Sequence, residues 1–335
     1  MDIFDWIKKE LRPTSCSSTE FIYDKMDSQS DFCLPMIYIP FDVNNRAHWR
    51  DRGWAFDFLF ATGGGKLLDF GPGDGWPSLI VAPYVEKVVG LDASPRRVDV
   101  CTANAARLRI TNAEFVHYQP DQKFPFENNS FDGIMAASSV EETDNPQEIL
   151  HEFYRVLRPG GRLRIFFDGL SKYKNGGEYD LWIQPIDNDR GMLILSNRLI
   201  SNERIDMYGM TIDMSEENIE EHFLKGEQPL KFENISIKKL ENTRSFIIES
   251  KLCSIPHPSG KTLYGWLQDS GFDNIFPTQN GADVADKLFN LTPENERPQN
   301  IEGVDKLIRP LAEIAVITPA PIEADPVMTA VKPDI

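Results

Sequence analysis

The sequence predicts an α/β protein with a doubly wound, mostly parallel sheet, and three observations carry that prediction. Short apolar strands alternate with helical stretches from residue 66 to 167, a pattern that buries a parallel sheet under helices on both faces. The first strand, 66–70, runs straight into three glycines at alternate positions, Gly71, Gly73 and Gly75. The next strand closes on an acid, Asp92. An N-terminal helical cap and a β-rich insertion complete the predicted architecture.

Residues 1–44 open with an amphipathic stretch, Ile3, Phe4, Trp6, Ile7 and Leu11, which stops at Pro13 and gives way to a Ser/Thr-rich loop. This segment reads as a cap or lid. From Asn45 the spacing of Trp49, Phe56 and Phe60, with Trp54 and Phe58 four apart, predicts a helix ending at Gly63, Gly64 and Gly65. Residues 45–169 then form the predicted core: strand 66–70, helix 76–84, strand 87–92, helix 95–107, strands 113–117 and 131–136, helix 146–157 and strand 162–167. The helix at 146 has a clear start, with Asn145 as N-cap, Pro146 in the first turn and Glu148 placed to close a capping box.

Between 170 and 258 the period changes to that of strands, predicted at 181–186, 191–195, 204–210, 232–238 and 245–251, with one helix starting near Ser215 and burying Ile219 and Phe223. This is the insertion, serving substrate choice or a homodimer contact. Residues 259–318 return to the core, with a helix at 263–270, Gly271 as its C-cap, a strand at 273–276 and a last strand at 311–318. The tail 319–335, with Pro319, Pro321, Pro326 and Pro333, reads as disordered.

Composition narrows the function. The 335 residues are 41% hydrophobic, enough for a sizeable core, and carry 35 Lys and Arg against 52 Asp and Glu, a formal charge of −17. So acidic a chain without a basic stripe repels a phosphate backbone, which argues against nucleic acid as partner. No run reaches the roughly 18 apolar residues of a membrane span, and the first residues lack the pattern of a signal peptide. The expectation is a soluble cytoplasmic protein. Cys16, Cys33, Cys101 and Cys253 are scattered without CxxC spacing, and the five histidines lack metal-ligand spacing, so no metal is indicated.

The chemistry concentrates in Leu68-Asp69-Phe70-Gly71-Pro72-Gly73-Asp74-Gly75-Trp76. Glycines there let a ligand approach the backbone where a strand turns into a helix. A dinucleotide fingerprint needs GxGxxG, and here the third glycine comes one place early. The acids Asp69 and Asp74 would repel a pyrophosphate and welcome a ligand bearing an ammonium and a sulfonium. Asp92, about twenty residues on, is placed to accept hydrogen bonds from both hydroxyls of an adenosine ribose, or simply to cap the next helix.

In order and at the right separations, LLDFGPGDG, VVGLDAS, FPFENNSFDGIMAASSVEE and ILHEFYRVLRPGGRLRIFF resemble the motifs of class I S-adenosylmethionine (SAM)-dependent methyltransferases, nearest the branch containing the ubiquinone/menaquinone-biosynthesis C-methyltransferases. The likeness covers 45–169 and resumes loosely at WLQDSGFDNI. It implies a Rossmann-like methyltransferase sheet and transfer of a methyl group from SAM to a small-molecule acceptor, with S-adenosylhomocysteine (SAH) as product. It places Asp69 near the methionine amino group, wraps Gly71, Pro72, Gly73 and Gly75 around the methionine end, and sets Asp92 on the ribose and Ala93 against adenine. Met135, Ala136 and Ala137, at the end of the fourth strand, run past the methionyl part and supply backbone contacts. Trp76 either walls that part or packs on the sheet.

Two departures stand out. After the third strand the family often has Gly-Asp, the acid meeting the adenine amino group; here the segment is His117-Tyr118-Gln119-Pro120-Asp121, leaving Gln119 or Asp121 for the role. Where the family commonly has two histidines after the fourth strand, this chain has Glu141 and Glu142. These glutamates are candidates to take a proton from a nucleophile or hold a cationic substrate; with Asp144 they also suit a solvated acidic loop at a helix N-terminus. A non-catalytic SAM-binding or scaffold protein, and less so a nicotinamide oxidoreductase, are the alternatives.

Overall fold

The side chain of Asp2 accepts from Asp5 N (2.7 Å) and so starts α1 (Ile3–Trp6), which continues as a π-helix to Leu11 and leads to β1 (Thr14–Ser15) and α2 (Ser18–Phe21). Asn45 Oδ1 receives Ala47 N to cap α3 (Arg46–Thr62), and Gly63, at φ +84°, ends it. There follow β2 (Lys66–Phe70), α4 (Ser78–Val81), β3 (Lys87–Asp92), α5 (Pro95–Leu108), β4 (Ala113–His117), β5 (Phe131–Ala137), α6 (Pro146–Val156) and β6 (Leu157–Phe166). Next come β7 (Tyr179–Pro185), β8 (Gly191–Leu199), β9 (Arg204–Ile212), α7 (Glu216–Leu224), α8 (Ile237–Thr243) and β10 (Ile247–Pro256). The chain closes with α9 (Gly260–Asp269), β11 (Asp273–Thr278), α10 (Gly281–Leu291), α11 (Ile301–Ala315) and β12 (Val327–Val331). The computed structural model describes residues 2–21, 40–120, 122–173, 178–224 and 230–334; Cys33 and Asp121 lie outside them.

The chain divides into two units. The larger holds a seven-stranded sheet in the order β11-β12-β6-β5-β2-β3-β4, parallel except for β12, which runs antiparallel to both its neighbours. Asp69 on β2 stands opposite Gly90 of β3 and Met135 of β5. The carboxyl ends of β2, β3 and β5 therefore lie side by side where the strand order reverses, the place at which open α/β sheets bind ligands. Leu68, Val89, Ile134, Leu163 and Met328, all buried, fill the core on one face. On the other, Arg164 of β6 and Asp57 of α3 form a fully buried pair (2.8 Å), and Arg164 also donates to Thr278, Thr329 and the Gln279 carbonyl.

The smaller unit takes in residues 1–29, 142–144 and 172–258. Its five-stranded sheet, in the order β1-β10-β9-β8-β7, is antiparallel apart from β1 on β10. Along β8 the alternation is clean: Leu193 and Leu195 join Phe4, Trp6, Ile219 and Phe223 in one core, while Met192 and Ile194 join Phe21, Met207 and Cys253 in another. The N-terminal segment thus shares its core with the insertion strands.

Four expectations need correction. The stretch 311–318 is no strand: α11 runs through it to Ala315, because the apolar positions extend back as Val304, Ile308, Ala312 and Ala315 at helical spacing. Nor is the tail disordered. Val327–Val331 is a buried strand between β6 and β11, held by Asp325, whose carboxylate receives Gly260 N (2.6 Å), and by Lys332 Nζ, which donates to the Tyr154 and Leu157 carbonyls (2.7 Å each). The stretch 232–238 forms a 3-10 turn and the start of α8, capped by Ser236, instead of a strand. The strand expected at 245–251 starts at Ile247 and runs on to Pro256.

Candidate active site

The first side chain of the site is Asp69, fully buried at the carboxyl end of β2. Its Oδ2 accepts from Ser78 N (3.0 Å) and Ser78 Oγ (2.5 Å) at the start of α4; its Oδ1 has no hydrogen-bond partner. Burial pushes its pKa up to about 7, the neighbouring Asp92 carboxylate adds to the rise, and the two Ser78 bonds work against it. A buried carboxylate oxygen without a donor is expensive, and a ligand bringing a cationic N–H would satisfy it.

The loop that follows is built by left-handed backbone. Gly71 (φ +68°) packs so tightly that a Cβ would come within 2.5 Å of Ser139 Cβ, and Ser139 Oγ donates to the Phe70 carbonyl (2.7 Å). Gly73 (φ +59°) differs: a Cβ there would meet nothing within 4 Å, so the loop presents an open backbone face. Helix α5 pins the loop from behind, Cys101 Sγ donating to Gly73 O (3.2 Å) and Asn104 Nδ2 to Asp74 O (2.6 Å). Gly75 (φ +110°) completes the turn, its N–H bonded to Pro72 O (2.8 Å), while Pro72 itself is buried.

Asp92 ends β3 beside this loop, its carboxylate receiving Ser94 N (2.9 Å) and the Gly73 N–H. Burial lifts its pKa to about 6; those bonds, Arg97 and His117 pull against the rise. Asp51 of α3 and Asp74 are raised in the same sense, burial being the first cause in each. Four carboxylates around one loop are therefore held above their ordinary range, a field suited to a cation.

The remaining predicted residues sort by position. Ala93 is half-buried, with its carbonyl 3.1 Å from His117 Nε2. Ala136 and Ala137 close β5 opposite Phe70 and Phe166, and Ser138 then turns into the left-handed region (φ +49°), bonding its N–H to Phe166 O (2.8 Å). Trp76 packs edge-on to Trp54 and Phe58, with Nε1 donating to Asp51 (3.2 Å), so it joins the α3 layer. Gln119 is exposed in a turn closed by Gln122 N on its carbonyl (3.0 Å). The glutamates part: Glu141 is buried and accepts from Asp168 N (2.7 Å), tying the loop after β5 to the end of β6, whereas Glu142 is half-buried in the smaller unit, its carbonyl receiving Ser18 Oγ (2.7 Å).

Sequence reasoning missed Asp51, Ser78, Cys101, Asn104, Ser138 and Ser139. They come from α3, α4, α5 and the turn after β5, and only the adjacent serines after β5 carry any local signal.

A family model described as a methyltransferase domain matches residues 68–165. The demethylmenaquinone methyltransferase of Tropheryma whipplei (strain Twist) is 34% identical over 124 residues, 36% of this chain and 47% of that protein. The 27-O-demethylrifamycin SV methyltransferase of Amycolatopsis mediterranei (strain S699) is 29% identical over 103 residues, 30% of this chain and 38% of that protein. Among solved structures, a SAM-dependent methyltransferase from Clostridium acetobutylicum superposes with a TM-score of 0.48 at 10% identity, covering 84% of this chain and 91% of that one. The chain spans about half the length of the curated relatives it matches. The family match begins on β2 and ends on β6, so the stretch that is similar to a methyltransferase domain takes in the glycine loop and both strand-end acids.

Proposed function

We propose that the chain transfers the methyl group of SAM to a small-molecule acceptor, with SAH as product. The observation that carries the reading is the unanswered Oδ1 of Asp69 beside the open face of Gly73. SAM supplies a methyl group activated on a positive sulfur. In this reading Asp69 takes the ammonium of its methionine part, and the Gly71–Gly75 backbone wraps that part without a side chain in the way. Asp92 accepts from the two ribose hydroxyls, and Ala93 lies against adenine. Ala136 and Ala137 line the methionyl path, and Gln119 or Asp121 meets the adenine amino group.

The acidic field favours binding of the cationic ligand and release of the product that has lost the sulfonium charge, and alignment of the acceptor supplies much of the rate. Glu141 is a positioning residue, its Oε1 committed to Asp168 N; Glu142 is left as the candidate base. We assign acceptor choice to the smaller unit, since grafted elements vary function on a common fold. The menaquinone and rifamycin precursors named for the relatives are the first acceptors to try.

Calorimetry of the chain with SAM, SAH and NAD(H) tests the cofactor. Binding of SAM and SAH weakened at least tenfold by Asp92→Ala, with none for NAD(H), supports the reading. A folded chain that binds neither SAM nor SAH rejects it.

A further inference from the structure

Over β6, β12 and β11, beneath the last turn of α3, the larger unit contains a cavity of about 380 Å³. That volume falls in the range of small-molecule sites, about 300–1,000 Å³. Phe60, Ala61, Phe276, Val316 and Ile317 make it mostly apolar, and no Asp or Glu lines it.

Its charge is Arg162. Residues 162 and 164 lie on one face of β6, and Asp57 and Ala61 lie one turn apart on α3 above them. Asp57 answers Arg164, which also finds two threonines and a carbonyl. Ala61 offers Arg162 nothing, and Arg162, exposed at the cavity's edge, makes no side-chain hydrogen bond or ion pair with any described residue. Arg309 adds a second cation nearby, its guanidinium 5.7 Å from the centroid of the Phe60 ring. A guanidinium is weakly hydrated and pairs a carboxylate with two parallel hydrogen bonds.

We infer that this cavity binds an amphipathic carboxylate, its aliphatic chain against Phe60, Ala61 and Val316 and its carboxylate on Arg162. This site is separate from methyl transfer and stands whether or not that reading holds. The Ile317 side chain, 76% exposed at the mouth, offers a place to alter the entrance without disturbing the core.

Dodecanoate, below its micelle concentration, is the probe, with dodecanol as the uncharged control, titrated calorimetrically into the full chain. Saturable one-to-one binding of dodecanoate is expected, at least tenfold weaker for dodecanol and for Arg162→Met. Ile317→Glu, which sets an acid at the mouth, is expected to weaken it similarly, with SAM affinity and melting temperature unchanged in both variants. Absence of saturable binding, or binding indifferent to both substitutions, overturns the inference. So does a dimer in sedimentation velocity that Ile317→Glu splits, since that outcome gives the cavity to a second copy of the chain.

Discussion

Asp57 and Asp69 are both fully buried carboxylates of the larger unit, twelve residues apart in sequence, and they are treated in opposite ways. Asp57 receives a bidentate guanidinium and the Gly281 N–H (2.8 Å), so both of its oxygens are satisfied. Asp69 has only Ser78, on one oxygen, with a second acid nearby in place of a cation. Asp57 belongs to the architecture, because it fastens α3 to β6. Asp69 holds an interaction in reserve, and in a buried site such a reserve marks where a ligand goes.

The largest expected effect tests the satisfied acid. Arg164→Met leaves Asp57 buried without its partner and should cost about 3–5 kcal/mol of stability in urea unfolding. Asp57→Leu combined with Arg164→Met should recover part of that loss, since an apolar pair no longer strands a charge. A single variant costing less than about 1 kcal/mol would mean that water or rearrangement reaches Asp57, and the contrast would collapse.

Asp69 should respond with the opposite sign. Its pKa is about 7 in the folded chain and about 3.9 when unfolded, so the folded state binds more protons between those values. Stability of the unliganded chain therefore falls as pH rises from about 4 to about 7 and levels above that. The ceiling of this contribution is about 4 kcal/mol. Asp69→Asn should remove the slope and raise the melting temperature at pH 8 while weakening SAM. A variant less stable than the parent at pH 8 would show that the carboxylate is already satisfied without ligand. The same shifts give binding a direction: if Asp69 and Asp92 act ionised, SAM affinity falls on going from pH 8 to pH 6, and proton release on binding is visible in buffers of different ionisation enthalpy.

How far the sequence revealed these two acids follows from how each is held. The loop at 69–75 was legible because one short segment contains the strand, the glycines and the acid, and local backbone demands leave local residue signatures. Asp57 looked like any polar residue in an aromatic helix, since its partner is 107 residues away. Cys101 and Asn104 are hidden for the same reason, bonding loop atoms 28 and 30 residues away, whereas Ser78, nine residues from Asp69, stands in no pattern of its own. The C-terminal strand is hidden because prolines bracket it, yet a short, mostly apolar run buried on both faces needs only an antiparallel place between two strands, and that place is set by β6 and β11. Lys332 and Asp325, which fasten it, bond to residues far from them in sequence. Glu141 and Glu142 read as a pair because they are adjacent in sequence; the fold gives one to each unit.

The smallest stability effect separates architecture from ligand within the loop itself. Gly71→Ala must both hold an alanine at φ +68° and push aside Ser139, whose Cβ would lie 2.5 Å away, so it should cost clearly more than the roughly 1–2 kcal/mol of the left-handed backbone alone. Gly73→Ala meets no clash and should cost only that backbone term. Its methyl group, however, enters the open face on which the methionine part of SAM is proposed to lie. Gly73→Ala should therefore lose at least tenfold in SAM affinity while melting within a few degrees of the parent, and Gly71→Ala should melt much earlier. Equal effects on melting, or an unchanged SAM affinity in Gly73→Ala, would break the distinction: the first by showing that both glycines serve only the turn, the second by placing the ligand elsewhere than on the backbone that Gly73 leaves bare.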